Sequence, residues 1–119
     1  MPINFSNDKP IFIQLAEIIR GDILSGKYPK STRLPSVREL AMAHSINPNT
    51  VQKALQLLEN DGLIVTDRTN GKFVSENTEE IDKQKNEAIQ QEVKNFFEKM
   101  NTFGLDNKEI KELINKIGG

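Results

Sequence analysis

Asn49, Gln52, Lys53 and Gln56 recur at a spacing that, at about 100° per residue, sets them on one side of a helix, with Thr50 at the flank of its first turn. These side chains can form hydrogen bonds without bringing negative charge. Asn and Gln can bond an adenine edge in pairs, Lys can reach guanine or a phosphate, and Thr can hold a phosphate. An ordinary solvated helix face usually mixes in Glu, but the first acid in this run is Glu59. The pattern therefore favours a helix lying against nucleic acid over one that merely faces water.

The elements that would position this face are legible around it. Val51, Ala54, Leu55 and Leu58 are spaced i, i+3, i+4, i+7 and form the buried side of the same helix. Asn47 is a strong N-cap and Pro48 an apt first helical residue. His44-Ser45-Ile46 makes the preceding turn, and the lone His44 reads as a structural or solvated residue. Before the turn, Ser36 and Glu39 have the S-x-x-E spacing of a capping box, which predicts a short helix with Val37, Leu40 and Ala41 inward. Arg38 points outward near that helix's positive end, where a phosphate would be favoured; the alternative is a solvated side chain.

After the polar-faced helix, Asp61-Gly62 marks a stop. Leu63–Thr66 and Lys72–Val74 read as paired strands joined through Asp67–Gly71, in which Asn70-Gly71 is a strong hairpin signal. Arg68 and Lys72 flank the tip, so the hairpin is expected to present positive charge, with Asn70 and Gly71 at its end. Upstream, Pro10 can open a supporting helix. Its stripe is Phe12, Leu15, Ile19 and Ile23, widened by Ile11 and Ile18, with Gln14, Glu17, Arg20 and Asp22 on the other side. Gly26 ends it, and a loop from Tyr28 runs to Arg33. Residues 1–9, in which Ile3 and Phe5 alternate with polar residues as on a short edge strand, read as an ordered arm packed on the domain, the alternative being a disordered segment.

Residues 76–80 read as a polar hinge. A helical pattern then carries Ile81, Ala88 or Ile89, Val93, Phe96, Phe97 and Met100, is interrupted at Gly104 and Asp106-Asn107, and resumes with Ile110, Leu113, Ile114 and Ile117. With Phe103 and Leu105 this is more apolar surface than two short helices can bury. Ile89, Val93, Phe96, Phe97, Met100, Phe103, Ile110, Leu113 and Ile114 are therefore expected at a homodimer interface; packing on the chain's own first domain is the alternative. The fold class expected is mainly α with a small β-hairpin. A winged helix-turn-helix domain over residues 1–75 precedes a two-helix dimerisation segment over residues 76–119.

Composition narrows the function classes. The 119 residues suit one small domain with an appendage, too small for a deep private cavity. There are no cysteines and one histidine, which removes disulfides, thiol chemistry and the usual zinc ligands. No nucleophile with a base, paired carboxylates or phosphate loop emerges, so neither catalytic nor metal-binding nor cofactor-binding residues are expected. No apolar run approaches the ~20 residues of a membrane span and no signal peptide is visible, so a soluble cytoplasmic protein is expected. The formal net charge is −1, but residues 1–75 carry nine Lys/Arg against seven Asp/Glu and residues 76–119 seven against ten. The positive charge thus sits where the helix-turn-helix is, and its placement matters more for phosphate binding than the total.

Leu34 to Val74 resembles the winged helix-turn-helix of GntR-type bacterial transcription regulators. The matching pieces are LPSVREL (34–40), NTVQKAL (49–55), LENDGLI (58–64) and GKFV (71–74), and residues 10–28 resemble the family's first helix. NPNTV (47–51) and the short tail are similar to the YtrA-like subfamily. The resemblance implies DNA contacts at Arg38, Asn49, Thr50 and Gln52, with Lys53 nearby and Gly71 at the wing tip, and a tail that dimerises. It also implies no pyridoxal phosphate domain, a repressor's role and a link to transporter genes. A small-molecule effector, if one acts, would bind between subunits or in the tail. Two departures, Pro48 and the Thr69-Asn70-Gly71 tip, stand where many relatives carry arginine, which implies a different operator. The competing expectation is a winged-helix protein-interaction module. Such a face would normally expose apolar anchors, and this one does not.

Overall fold

The computed structural model describes residues 5–118. Its first helix, α1 (Ile11–Leu24), starts at Pro10, whose carbonyl accepts from the backbone N–H groups of Ile13 and Gln14. α1 buries Leu15, Ala16, Ile19 and Ile23, with Phe12 partly covered. Ile11 and Ile18, expected to widen the stripe, are instead exposed. At about 100° per residue, Ile11 lies roughly 95° and Ile18 roughly 115° from the centre of the buried arc, whereas Ala16 lies within it. Gln14, expected on the solvent side, anchors the preceding arm. Its side chain accepts from the Ser6 N–H at 2.9 Å and donates to the carbonyls of Ser6 and Lys9. Phe5 packs on the core, while Ile3 lies outside the described residues.

The second helix, α2 (Val37–His44), begins with the expected capping box. Ser36 Oγ accepts from the Glu39 N–H at 3.0 Å, and the Glu39 carboxylate accepts from the Ser36 N–H at 3.2 Å. It ends at Ser45 in a left-handed conformation, with the Ile46 N–H bonded to the Ala41 carbonyl. α3 (Pro48–Asn60) follows, capped by the Asn47 side chain, which accepts from the Asn49 N–H at 2.8 Å. Val51, Ala54, Leu55 and Leu58 are fully buried and meet Leu15, Ile19 and Ile23 of α1 and Leu40 of α2 in one core.

The wing is β1 (Ile64–Asp67) paired antiparallel with β2 (Gly71–Val74), in the register Ile64↔Val74 to Asp67↔Gly71. Two features differ from the sequence expectation. The segment before α2, read as a loop, pairs with the other edge of β2. Ser31 N–H donates to the Val74 carbonyl, Val74 N–H to that of Thr32, and Leu34 N–H to that of Lys72, with an Arg33↔Phe73 bridge. The connection is also shorter than the five residues Asp67–Gly71 read for it, because Asp67 and Gly71 pair as the last rung of the ladder. It is a three-residue loop over Arg68–Asn70, held by the Asp67 carboxylate, which accepts from the Thr69 and Asn70 N–H groups. Of the residues in this turn, Gly71 takes a positive φ (103°).

The chain divides into two compact units at Lys83/Gln84. α4 (Thr78–Thr102) starts inside the stretch read as a polar hinge, because the Asn77 side chain accepts from the Glu80 N–H and caps it. Its first turn buries Ile81 in the core of the first unit. In the second unit, Asp106 and Glu109 form a capping box for α5 (Asn107–Gly118). Ile110 is buried there, and the rings of Phe96 and Phe97 meet edge to face at 6.0 Å.

Candidate nucleic-acid interface

α3 supplies the candidate surface. With its apolar stripe wholly inside the core, the opposite side is fixed in place by packing, and Asn49, Gln52, Lys53 and Gln56 all stand exposed. Thr50 is half-buried beside the α3 N-terminus. Two of the exposed residues already have partners. Lys53 Nζ lies 5.8 Å from the centre of the Phe12 ring on α1, within cation–π range. Gln56 donates to Asn60 one turn on at 2.9 Å. Asn49 and Gln52 stand nearest the helix start with no such side-chain hydrogen bond among the described residues.

The acid that breaks the polar run is neutralised. Glu59 accepts from Thr66 Oγ1 at 2.8 Å and lies 3.4 Å from Lys72 Nζ, which also donates to Thr66. Lys72, expected to add positive charge to the hairpin tip, is thus half-buried against α3 and spends its charge on Glu59. Arg68 is the cation that the tip itself carries outward, beside exposed Asn70. Arg38 is exposed on the first turn of α2, and among the described residues it forms no ion pair. α2, α3 and the wing therefore carry the predicted residues on the first unit, with Lys72 turned to the helix.

Carboxylates near the surface are held in fixed roles. Asp67 sits below its usual pKa range because it accepts from the Thr69 backbone N–H, and then from the side chain and backbone of Asn70. Glu39 is lowered by the Ser36 backbone N–H and hydroxyl, with Arg33 adding a coulombic pull. His44 Nδ1 is buried without a hydrogen-bond partner among the described residues, so the ring packs in the turn and does not join the exposed face.

Arg33 is the residue that the sequence did not single out. Its Nε donates to the Asn70 carbonyl at 2.9 Å, across a separation of 37 residues. No local signal marks it, because the pairing of its segment with β2 is set by the fold. Among the described residues no group of His, Cys, Asp and Glu could hold a metal ion, and no helix is long and apolar enough to cross a membrane.

Residues 13–74 match the family model described as bacterial regulatory proteins, gntR family. The chain is 33% identical over 119 residues to the HTH-type transcriptional regulator YhcF of Bacillus subtilis (strain 168), covering 96% of this chain and 94% of that protein. It is 34% identical over 109 residues to the HTH-type transcriptional repressor YtrA of the same organism, covering 91% and 84% respectively. A solved GntR family transcriptional regulator from Listeria monocytogenes superposes with a TM-score of 0.87 at 34% identity, over 95% of this chain and 99% of that one.

Proposed function

The chain belongs to the GntR family of bacterial regulatory proteins, and on that premise we propose that it is a homodimeric, sequence-specific DNA-binding repressor of the YtrA-like kind. One observation carries the reading: the solvent side of α3 is held in place by core packing and free of uncompensated acid from Asn49 to Asn60, because Glu59, the acid in that span, is tied to Lys72 and Thr66. α3 enters the major groove. Asn49 and Gln52 pair with base edges, Lys53 and Gln56 reach a base or phosphate further along, and Arg38 and Thr50 hold the backbone. The wing tip, with Arg68, Asn70 and Gly71, lies along the neighbouring phosphates or minor groove, and Lys72 serves it by neutralising Glu59.

The tail pairs two copies, so that two recognition helices face half-sites about one helical turn, ~34 Å, apart on a palindromic operator. Exposed Ile89, Val93, Phe96, Phe103, Leu113 and Ile114 support that pairing, with half-buried Phe97 and Met100 and buried Ile110 beneath them. Transporter genes are the proposed targets, on the strength of the YtrA resemblance, and the protein acts in the cytoplasm without catalytic activity. An effector, where one acts, has an open groove of about 510 Å³ between α4 and α5, bordered by Val93, Lys94, Phe97 and Lys111. The test is selection of bound fragments from a random duplex pool by the purified chain. Enrichment of inverted repeats with affinity that falls steeply with salt is expected. Recovery of a pool no different from the input sinks the reading.

A further inference from the structure

Arg33 stands at the junction of three elements. Its segment pairs with β2, it leads directly into α2, and its Nε holds the Asn70 carbonyl at the wing tip. The guanidinium lies against Gly71, where a Cβ would sit 3.2 Å from Nε and 3.5 Å from Nη2. Glycine is required there twice over, by this close approach and by its φ of 103°. Arginine carries five N–H donors in a fixed fork. Among the described residues only the Nε donor is used in a hydrogen bond, which leaves the two terminal nitrogens uncommitted.

The same residue borders a cavity of about 240 Å³ between the start of α2 and the wing, shared with Ser36, Val37, Arg68 and Lys72. Its lining carries three cations, Arg33, Arg68 and Lys72, against one acid, Asp67. Ser36 and Val37, at the N-terminal end of α2, border it, and among the described residues neither Arg33 nor Arg68 forms an ion pair. Its acid, Asp67, is spent on the turn amides, and Lys72 is spent on Glu59. Glu39 lies within coulombic reach of Arg33 but is locked in the α2 capping box. A tetrahedral dianion or a phosphodiester suits this seat.

We infer that Arg33 is a positioning residue that locks the wing tip through Asn70, and that its terminal nitrogens bind a DNA backbone phosphate seated between α2 and the wing. The inference rests on the DNA-binding reading above and goes beyond it by assigning a strut and a phosphate ligand in one side chain. The two roles use different atoms, so two substitutions separate them. In Arg33→Gln the amide nitrogen occupies the place of Nε, keeping the wing bond and removing the charge. In Arg33→Lys the charge stays, but a methylene stands where Nε was.

The experiment compares both variants with the unaltered full chain, by backbone ¹⁵N relaxation and by binding to the duplex fragments that the unaltered chain selects. Arg33→Lys should lower the order parameters of Thr69–Gly71 from about 0.85 to below about 0.6 and leave the salt slope unchanged. Arg33→Gln should keep the wing ordered and reduce the slope of log K against log salt by about one. An ordered wing in Arg33→Lys overturns the strut, and an unchanged slope in Arg33→Gln overturns the phosphate ligand. If the unaltered chain selects no DNA, the DNA reading and the phosphate seat fall together, while the relaxation result still decides the strut.

Discussion

The first unit of this chain buries most of its large apolar residues in one core, and the second leaves most of its own exposed. Up to Lys83, Leu15, Ile19, Val51, Leu55, Leu58, Leu63, Ile64 and Val74 are each under 5% exposed. From Gln84 onward, Ile110 is the buried hydrophobic residue among those described, while Phe103 is 69% and Ile117 77% exposed. The polar surface differs in the opposite sense. In the first unit the side chains around the α3 face are paired, capped or braced, whereas the tail, polar over most of its surface, also exposes Ile89, Val93, Phe96, Phe103, Leu113, Ile114 and Ile117. A unit that is complete inside can spend its surface on recognition. A unit with an open apolar face needs another surface to cover it, and that need is what the proposed pairing of two copies meets.

The sharpest way to break this contrast is to hollow out the first unit. Leu58→Ala removes a fully buried side chain shared by α3 and the helices it packs on. It should cost about 2–5 kcal/mol of unfolding free energy, read as a lower midpoint in urea at constant m. The equivalent change at Ile117 should leave that midpoint nearly unmoved. Equal losses at the two sites would mean that the tail is as self-contained as the winged domain.

Next in size is a charge placed on the tail's open face. Val93→Asp should weaken dimerisation by about 100-fold or more, because an unpaired carboxylate would have to enter an apolar contact. Sedimentation equilibrium of the full chain reads it. An unchanged monomer–dimer distribution would show that this face is not the one covered.

Recognition comes third. Asn49→Ala or Gln52→Ala should lose about 1–3 kcal/mol on the selected sequence and relax preference at one base pair. Lys53→Ala should weaken all sequences alike, with a salt slope smaller by about one if it meets a phosphate. The Phe12 contact sharpens the Lys53 case. If the lysine serves only to brace α1 on α3, Phe12→Leu and Lys53→Ala should lower stability together and leave the salt slope alone.

What was legible in the sequence follows from how local each device is. The Ser36–Glu39 box, the Asn47 cap with Pro48, and the Val51–Leu58 stripe are all written within a few residues, and α2 and α3 form as expected. The wing was legible as a hairpin, since apolar runs flank a turn sequence. Its mechanism was not, because Asp67 anchors the turn through the Thr69 and Asn70 amides and Gly71 is needed for contact with a residue far back in the chain. The same non-locality hid the strand-like segment around Arg33 and the capture of Lys72 by Glu59. Ile11 and Ile18 misled because hydrophobic type alone does not say which edge of a broad stripe reaches the core.

The smallest expected effect concerns acid, and it is confined to the first unit's wing and α2. Asp67 and Glu39 are both lowered from ordinary values of 3.8 and 4.5 by hydrogen bonds that exist in the folded chain. A carboxyl whose pKa is depressed on folding stabilises the folded form above its unfolded value, and that contribution is lost as the pH falls through the folded value. Acidification below about pH 4 should therefore loosen the wing turn and the start of α2 first, since protonation takes the charge off the acceptors of the Thr69, Asn70 and Ser36 N–H groups and weakens those hydrogen bonds. The apolar face of the tail has no such dependence. Amide shifts of Thr69 and Asn70 should titrate with midpoints below 3.8, and Asp67→Asn should abolish the titration while retaining one acceptor oxygen. A midpoint at or above 3.8 would mean that Asp67 does not hold the turn, and that the wing relies on the Arg33 bond alone.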